Sequence, residues 1–372
     1  MQERVIKFYL KFLPYYLIIG IILSIVRTAF QTDLNQYFLL TGLIFDLVII
    51  FSAPRRLPKN SIIKFVGIFL FFSFFIGIIN LDSPFNRRII TDVTNPLFFF
   101  LKIFIFSRYW NDISFKNYLK YFVKITVIYS LILLPITYYF FNAQDVNRLS
   151  IFPPLELGFA FYLHGSNIFL PIIFFIIVLY GKRSLLISVA LVFVFSFFKN
   201  SKKNLYKFLL SITLLLLVFT YFDNISENKG FSRISNTFDQ VNKLDLEDVF
   251  EVIGGSRYLE FKTITQELDI IDYVIGKGVG YTYGFIWNNE YKTVANSHFS
   301  PIGLISKYGI IFTVFLYYFL LRLIYRSYPS NKEYKIAVST ALVVFIESFF
   351  AYSLFVIPIF PIVLGYLIKF RK

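Results

Sequence analysis

Apolar runs of close to bilayer length recur along this chain and leave little sequence for anything else. They lie at about 12–30, 37–53, 62–81, 90–107, 119–141, 155–180, 184–198, 205–222, 301–325, 335–355 and 356–370. A helix needs roughly 20 mostly apolar residues to cross the hydrocarbon core of a bilayer. Composition agrees: of 372 residues, 57% are hydrophobic and 16% charged, whereas soluble domains sit near ~45–50% and ~25%. The 50 Phe and 27 Tyr suit lipid contact and its interfaces. With no cysteine, disulfide scaffolds, thiolate metal sites and Cys nucleophiles are excluded together. The expected class is an all-α polytopic membrane protein.

The formal charge of +15 is a frequent sign of nucleic-acid binding, but in so apolar a chain the positive-inside rule accounts for it better. Basic residues cluster in short connections: Arg55, Arg56, Lys59 and Lys64; Arg108, Lys116, Lys120 and Lys124; Lys199, Lys202, Lys203 and Lys207; Arg322, Arg326, Lys332 and Lys335; and Lys369, Arg371 and Lys372. All are expected in the cytoplasm, with both termini. The basic start (Arg4, Lys7, Lys11) lacks a small-residue cleavage site, so the first run reads as a retained anchor. Eleven simple crossings cannot satisfy this pattern. The stretch 151–180 must enter and return as two short tilted helices or a re-entrant hairpin, turning near His164-Gly165-Ser166-Asn167, which gives about twelve crossings.

Three parts follow: a transmembrane bundle over 1–222, a large external loop over 223–300, and C-terminal transmembrane helices over 301–372. Between the eighth and ninth runs, residues 223–298 hold 12 acidic and 7 basic residues, a net charge of −5, so the rest of the chain carries +20. Loops beyond ~12–15 residues are usually functional or disordered. This one carries signals of order. Gly254-Gly255-Ser256 is a turn with Ser256 as a helix cap and Arg257 opening the helix. Phe261, Ile264, Leu268 and Ile271 then recur at helical spacing, with Glu260, Lys262, Glu267 and Asp269 turned elsewhere, which predicts an amphipathic helix lying on the outer membrane face. Gly276-Lys277-Gly278-Val279-Gly280 predicts a flexible turn; its spacing and surroundings do not fit a dinucleotide site. Ser300 as cap and Pro301 as first helical residue predict a helix start. His298 stands just ahead of it, where the positive end of the helix dipole favours a neutral imidazole and suits a phosphate.

The order GSRYLEFKTI, IGKGVG, NSHFSPIGLISKYGIIFTVFLYY over residues 254–320 resembles the O-antigen ligase and polymerase family of bacterial surface-polysaccharide assembly. The family's Arg, glycine turn, His and final Gly carry onto Arg257, Gly276, Gly278, Gly280, His298 and Gly309. GKRSLLIS at 181–188 resembles the external Arg-Ser/Thr start of a span in repeat-unit polymerases, and this carries onto Arg183. Phe299 stands where Asn is commoner, and Lys307-Tyr308 where a Glu or polar residue is usual.

The resemblance implies a C-type glycosyltransferase fold with its site on the outer face of the bacterial cytoplasmic membrane. The donor would be a glycan on a polyprenyl diphosphate, with no nucleotide sugar, no cofactor and no obligatory metal. A polymerase passes the growing chain to the incoming lipid-linked repeat unit; a ligase passes it to another acceptor such as lipid A-core. A flippase and a chain-length regulator would be partners, and nucleic acid would not. On this reading His298 and Arg257 are catalytic, while Arg183, Arg148, Arg233, Gly278 and Gly280 bind substrate. The residues suit that chemistry: Arg holds phosphate bidentately without losing its proton, and a hydroxyl acceptor needs a nearby base. Each has a plainer reading: His298 as a helix cap, His164 as a turn residue, and the arginines as headgroup anchors. Asp46, Lys102 and Glu347 lie within apolar runs, where charge is costly and by default functional. They motivate the alternative of a flippase or transporter, although the long loop and few charged spans favour the enzyme. A purely structural subunit has no positive feature behind it.

Overall fold

The computed structural model describes residues 2–30, 35–52, 61–80, 87–143, 149, 151–165, 169–199, 256–287, 290–325, 331–351 and 354–369. The run at 205–222, the loop from 223 to 255, Arg148 and Arg233 lie outside the described residues. Most of what is described is helical, and five helices are long and apolar enough to cross a membrane: Glu3–Arg27, Ile62–Asn80, Arg88–Tyr109, Asp112–Phe140 and Ser300–Tyr325. The chain forms two compact units, each assembled from separated segments.

The first unit comprises Met1–Ala53, Tyr109–Asp239 and Pro329–Val343. Helix α1 (Gln2–Phe30) packs on α2 (Asn35–Ser52) and α5 (Asp112–Ala143). The Tyr121 hydroxyl on α5 donates to the Lys11 carbonyl at 2.8 Å, and Tyr9 donates to Asp46 at 3.5 Å. The stretch 155–180 divides as its sequence predicts, into α6 (Glu156–Leu163) and α7 (Phe169–Leu179), which pack together and against α8 (Arg183–Lys199). His164 and Gly165 form the turn where α6 ends, and His164 Nε2 bonds the Ser339 hydroxyl at 2.7 Å. Buried Glu156 pairs with Lys182 at 3.5 Å.

The second unit comprises Pro54–Arg108, Gln240–Tyr328 and Val344–Lys372. It contains α3 (Ser61–Asn80), most of α4 (Arg87–Tyr109), α9 (Ser256–Glu267), α10 (Ile270–Ile275), α11 (Ser300–Tyr325), the last turn of α12 (Lys332–Glu347) and α13 (Ile359–Lys369). Aromatic contacts join the apolar helices: Phe65 to Phe315, Phe100 to Phe319, and Phe99 to Phe360. Lys102 and Glu347 are buried here.

The expected crossing at 335–355 stops at Glu347, and turns follow. Pro358, which has no N–H to give, bars an uninterrupted helix, so α13 starts at Ile359. Its 11 residues reach about 16 Å at 1.5 Å per residue, half a bilayer core. The described part of the long loop before α11 also departs from a purely helical reading. Strands β1 (Tyr283–Trp287) and β2 (Glu290–Val294) pair antiparallel, Tyr283 opposite Val294 and Trp287 opposite Glu290. Inward-facing Tyr283 and Phe285 close a small core with Ile264, Leu268 and Ile302, so α9, the hairpin and the start of α11 form one support.

Candidate active site

Helix α9 does not present the face its sequence predicts. Glu260, Ile264 and Leu268 are buried, while Phe261 and Ile271 are exposed. The apparent periodicity crosses a helix break: Asp269 caps a new helix, α10, in a reciprocal capping box with Asp272, and spacing counted through a cap loses its phase. Burying a carboxylate is costly unless donors meet it, and at Glu260 they do. Oε1 lies 2.8 Å from His298 Nδ1. Oε2 accepts from the His298 backbone N–H at 2.9 Å and the Tyr283 hydroxyl at 3.3 Å. Burial, and then the Glu260 charge, push the Tyr283 phenol well above its ordinary value, so Tyr283 remains a donor.

The imidazole is held by its inner nitrogen only. In the neutral ring, a carboxylate acceptor at Nδ1 draws the proton there and leaves Nε2 with its lone pair. Nε2 makes no hydrogen bond among the described residues, and the His298 side chain is 36% exposed against 2% for Glu260. Such an arrangement, a base with an orienting acid behind it, suits proton removal from a hydroxyl. Arg257 is half-buried one turn before Glu260 on α9; residues three apart share a helix face. Thus α9 supplies the acid behind His298 and carries Arg257 one turn from that acid.

The start of α11 differs by one residue from its prediction. The Gly303 N–H bonds the Phe299 carbonyl at 3.2 Å, which makes Phe299 the cap and Ser300 the first helical residue. Buried Ser300 instead ties two elements together: its N–H donates to the Ser348 carbonyl and its hydroxyl to the Ala351 carbonyl.

The glycine turn is rigidly built rather than flexible. Gly276, Gly278 and Gly280 have φ of 80°, 89° and 85°, values that L side chains rarely adopt. A Cβ on Gly278 would strike the backbone of Gly77 on α3, and one on Gly309 the backbone of Val274. Gly309 itself (φ 80°, ψ 168°) kinks α11 to admit α10. Three of the turn's amides are spent on other segments: Lys277 N–H on the Ser306 carbonyl (2.7 Å), Val279 N–H on the Ser73 carbonyl (3.1 Å), and Gly280 N–H on Asp92 Oδ2 (2.9 Å). Gly278 and Gly280 therefore shape the site's support, and the Gly280 amide is not offered to a ligand.

Sequence reasoning did not single out the group beneath. Lys307, 4% exposed, donates to Asp92 Oδ1 and to Asn296 Oδ1, each at 2.7 Å; Asp92 is 3% exposed. The Tyr308 hydroxyl donates to the Asp92 carbonyl at 2.6 Å. Lys307-Tyr308, the departure from the family pattern, are thus the residues that bind α11 to α4. The signal was a charge inside an apolar run, the same one that marked Asp46 and Lys102. Of the remaining expected site residues, Arg183 opens α8 and is half-buried in the first unit. No family model matches this chain, nor does any curated protein or solved structure.

Proposed function

We propose that the protein is a polysaccharide polymerase of the bacterial cytoplasmic membrane. It joins polyprenyl-diphosphate-linked repeat units on the outer face, in a C-type glycosyltransferase arrangement of about twelve crossings with cytoplasmic termini. The observation that carries this reading is the His298–Glu260 pair, with an unshared Nε2 on the open side and Arg257 on the helix that supplies Glu260. Nε2 takes the acceptor hydroxyl's proton as its oxygen bonds to the anomeric carbon. The bond from that carbon to the diphosphate oxygen breaks, and Arg257 balances charge on the departing lipid diphosphate, where a planar guanidinium serves better than a point charge. Arg183 at the head of α8 favours polymerase over ligase.

Charge placement supports the outer face. The glycine turn contacts the C-terminal part of α3 and the N-terminal parts of α4 and α11. The opposite ends of these helices carry Lys64, Arg108 and Arg322, which the positive-inside rule puts in the cytoplasm. One rule applied to the three helices supports the outer side for the site.

The test is reconstitution of the purified protein in vesicles with a lipid-linked repeat unit from the host strain. A ladder of joined units released on lipid is the expected product. Transfer only to an added lipid A-core acceptor would make the protein a ligase. Movement of the lipid across the bilayer with no new glycosidic bond would make it a transporter.

A further inference from the structure

Helix α10 turns its apolar side outward. Ile270 is 83% exposed and Ile271 65%, with Val274 and Ile275 also exposed; at spacings of four these make one continuous stripe. The opposite side is anchored. Tyr273 packs against the core formed by α9 and the hairpin, and Asp272 pairs with Lys277 at 3.5 Å. Despite its 6 residues, α10 is closed at both ends: Asp269 Oδ1 accepts the Asp272 N–H at 2.7 Å, and the Gly276 and Lys277 amides bond the Asp272 and Ser306 carbonyls. A segment entering hydrocarbon must satisfy its backbone within the protein, and these bonds meet part of that need for α10.

The neighbours identify the occupant. Val274 and Ile275 lie against Gly309, and the next residues of α11, Ile310 and Ile311, are exposed apolar side chains on a helix long enough to cross a membrane. On α3, another such helix, Phe75 and Ile79 are exposed on the face turned away from Gly77, which receives the glycine turn. The exposed face of α10 is therefore continuous with the Ile310–Ile311 surface of α11, which a bilayer would cover. We infer that α10 is a half-inserted wedge, its isoleucine face seated among the acyl chains of the leaflet where α3 ends, with Asp269, Asp272 and Lys277 at headgroup level. Interfacial helices bury an apolar face in this way at the headgroup–acyl boundary. The wedge would hold α9 and the hairpin, and with them Glu260 and His298, at the depth of a lipid diphosphate. The insertion itself stands without the glycosyl-transfer reading, and its test needs no activity.

The chain has no cysteine, so single labels can be introduced cleanly. Ile271→Cys, Ile270→Cys and, as reference, Lys292→Cys on β2 carry an environment-sensitive fluorophore in phosphatidylethanolamine–phosphatidylglycerol vesicles. Probes on residues 270 and 271 are expected to emit blue-shifted, to be quenched by lipids brominated on the acyl chain, and to resist aqueous iodide. The Lys292 reference is expected to do the reverse. Iodide quenching at 270 and 271 would overturn the wedge. So would quenching by neither agent, which would mean that protein, including a second copy or the chain's own loop, covers the face. Residue 270, the more exposed, decides the matter should the 271 label disturb folding.

Discussion

Two bases near the start of α11, His298 and Lys307, each meet a buried acid, and the two pairs behave differently. Glu260–His298 and Asp92–Lys307 have nearly equal separations, 2.8 and 2.7 Å. Both have a buried acid. The base in one is 36% exposed with an unshared nitrogen; the base in the other is 4% exposed, with donors committed to Asp92 and Asn296. The closed pair fixes the segment from Asn296 that leads to His298, and the open pair leaves His298 with a lone pair to use. Pairing with a buried acid therefore does not set the two bases apart. What remains unshared on the accessible side does.

The largest expected effect falls on the closed pair. Lys307→Met leaves the buried Asp92 carboxylate without its counter-charge, which costs about 3–5 kcal/mol, visible as loss of folded protein in detergent. Asp92→Asn with Lys307→Met removes both charges and should recover most of that loss. A double variant as unstable as the single would mean that the pair's charges are not what matters.

Glu260→Gln sharpens the other side. The amide retains an acceptor but also offers a donor toward Nδ1, and the ring loses its fixed tautomer. Polymer formation should fall about 10–100-fold, as for other groups that orient a functional histidine, with thermal unfolding nearly unchanged. A large drop in stability with no change in rate per folded molecule would make Glu260 a structural residue like Asp92. Gly278→Ala probes the support that both pairs share. A left-handed backbone costs an L-residue roughly 1–2 kcal/mol, before the added methyl meets Gly77. Lower thermal stability is expected; an unchanged melting temperature would mean that the turn yields easily. His164→Ala, which loses a bond to Ser339 in the first unit, should leave polymer length as in wild type.

Apolar runs were the most legible feature, because a bilayer demands length and composition that few other environments do. The break inside 155–180 followed from charge parity alone, and α6 and α7 flank it. Arg257 and His298 stood out by motif. Glu260 did not, because its stripe with Ile264 and Leu268 ends at a cap that periodicity ignores, and a charged residue on an amphipathic helix is assigned to water by default. Asp92 and Lys307 are 215 residues apart, and nothing local couples them. The hairpin had a signal, β-favouring runs on either side of Asn288-Asn289, that was outweighed by the helical character of the rest.

The central claim is that His298 acts as the base through its open nitrogen. Initial rates of repeat-unit joining by purified wild-type protein and His298→Gln, in vesicles supplied with the lipid-linked substrate, test it most directly. Gln keeps a hydrogen-bonding side chain of similar reach without basicity near neutral pH, so the variant should remain folded while its rate falls by the ~10²–10⁴-fold that a well-placed base contributes. A folded His298→Gln protein that joins repeat units at the wild-type rate would contradict the claim and reduce His298 to the partner that satisfies Glu260.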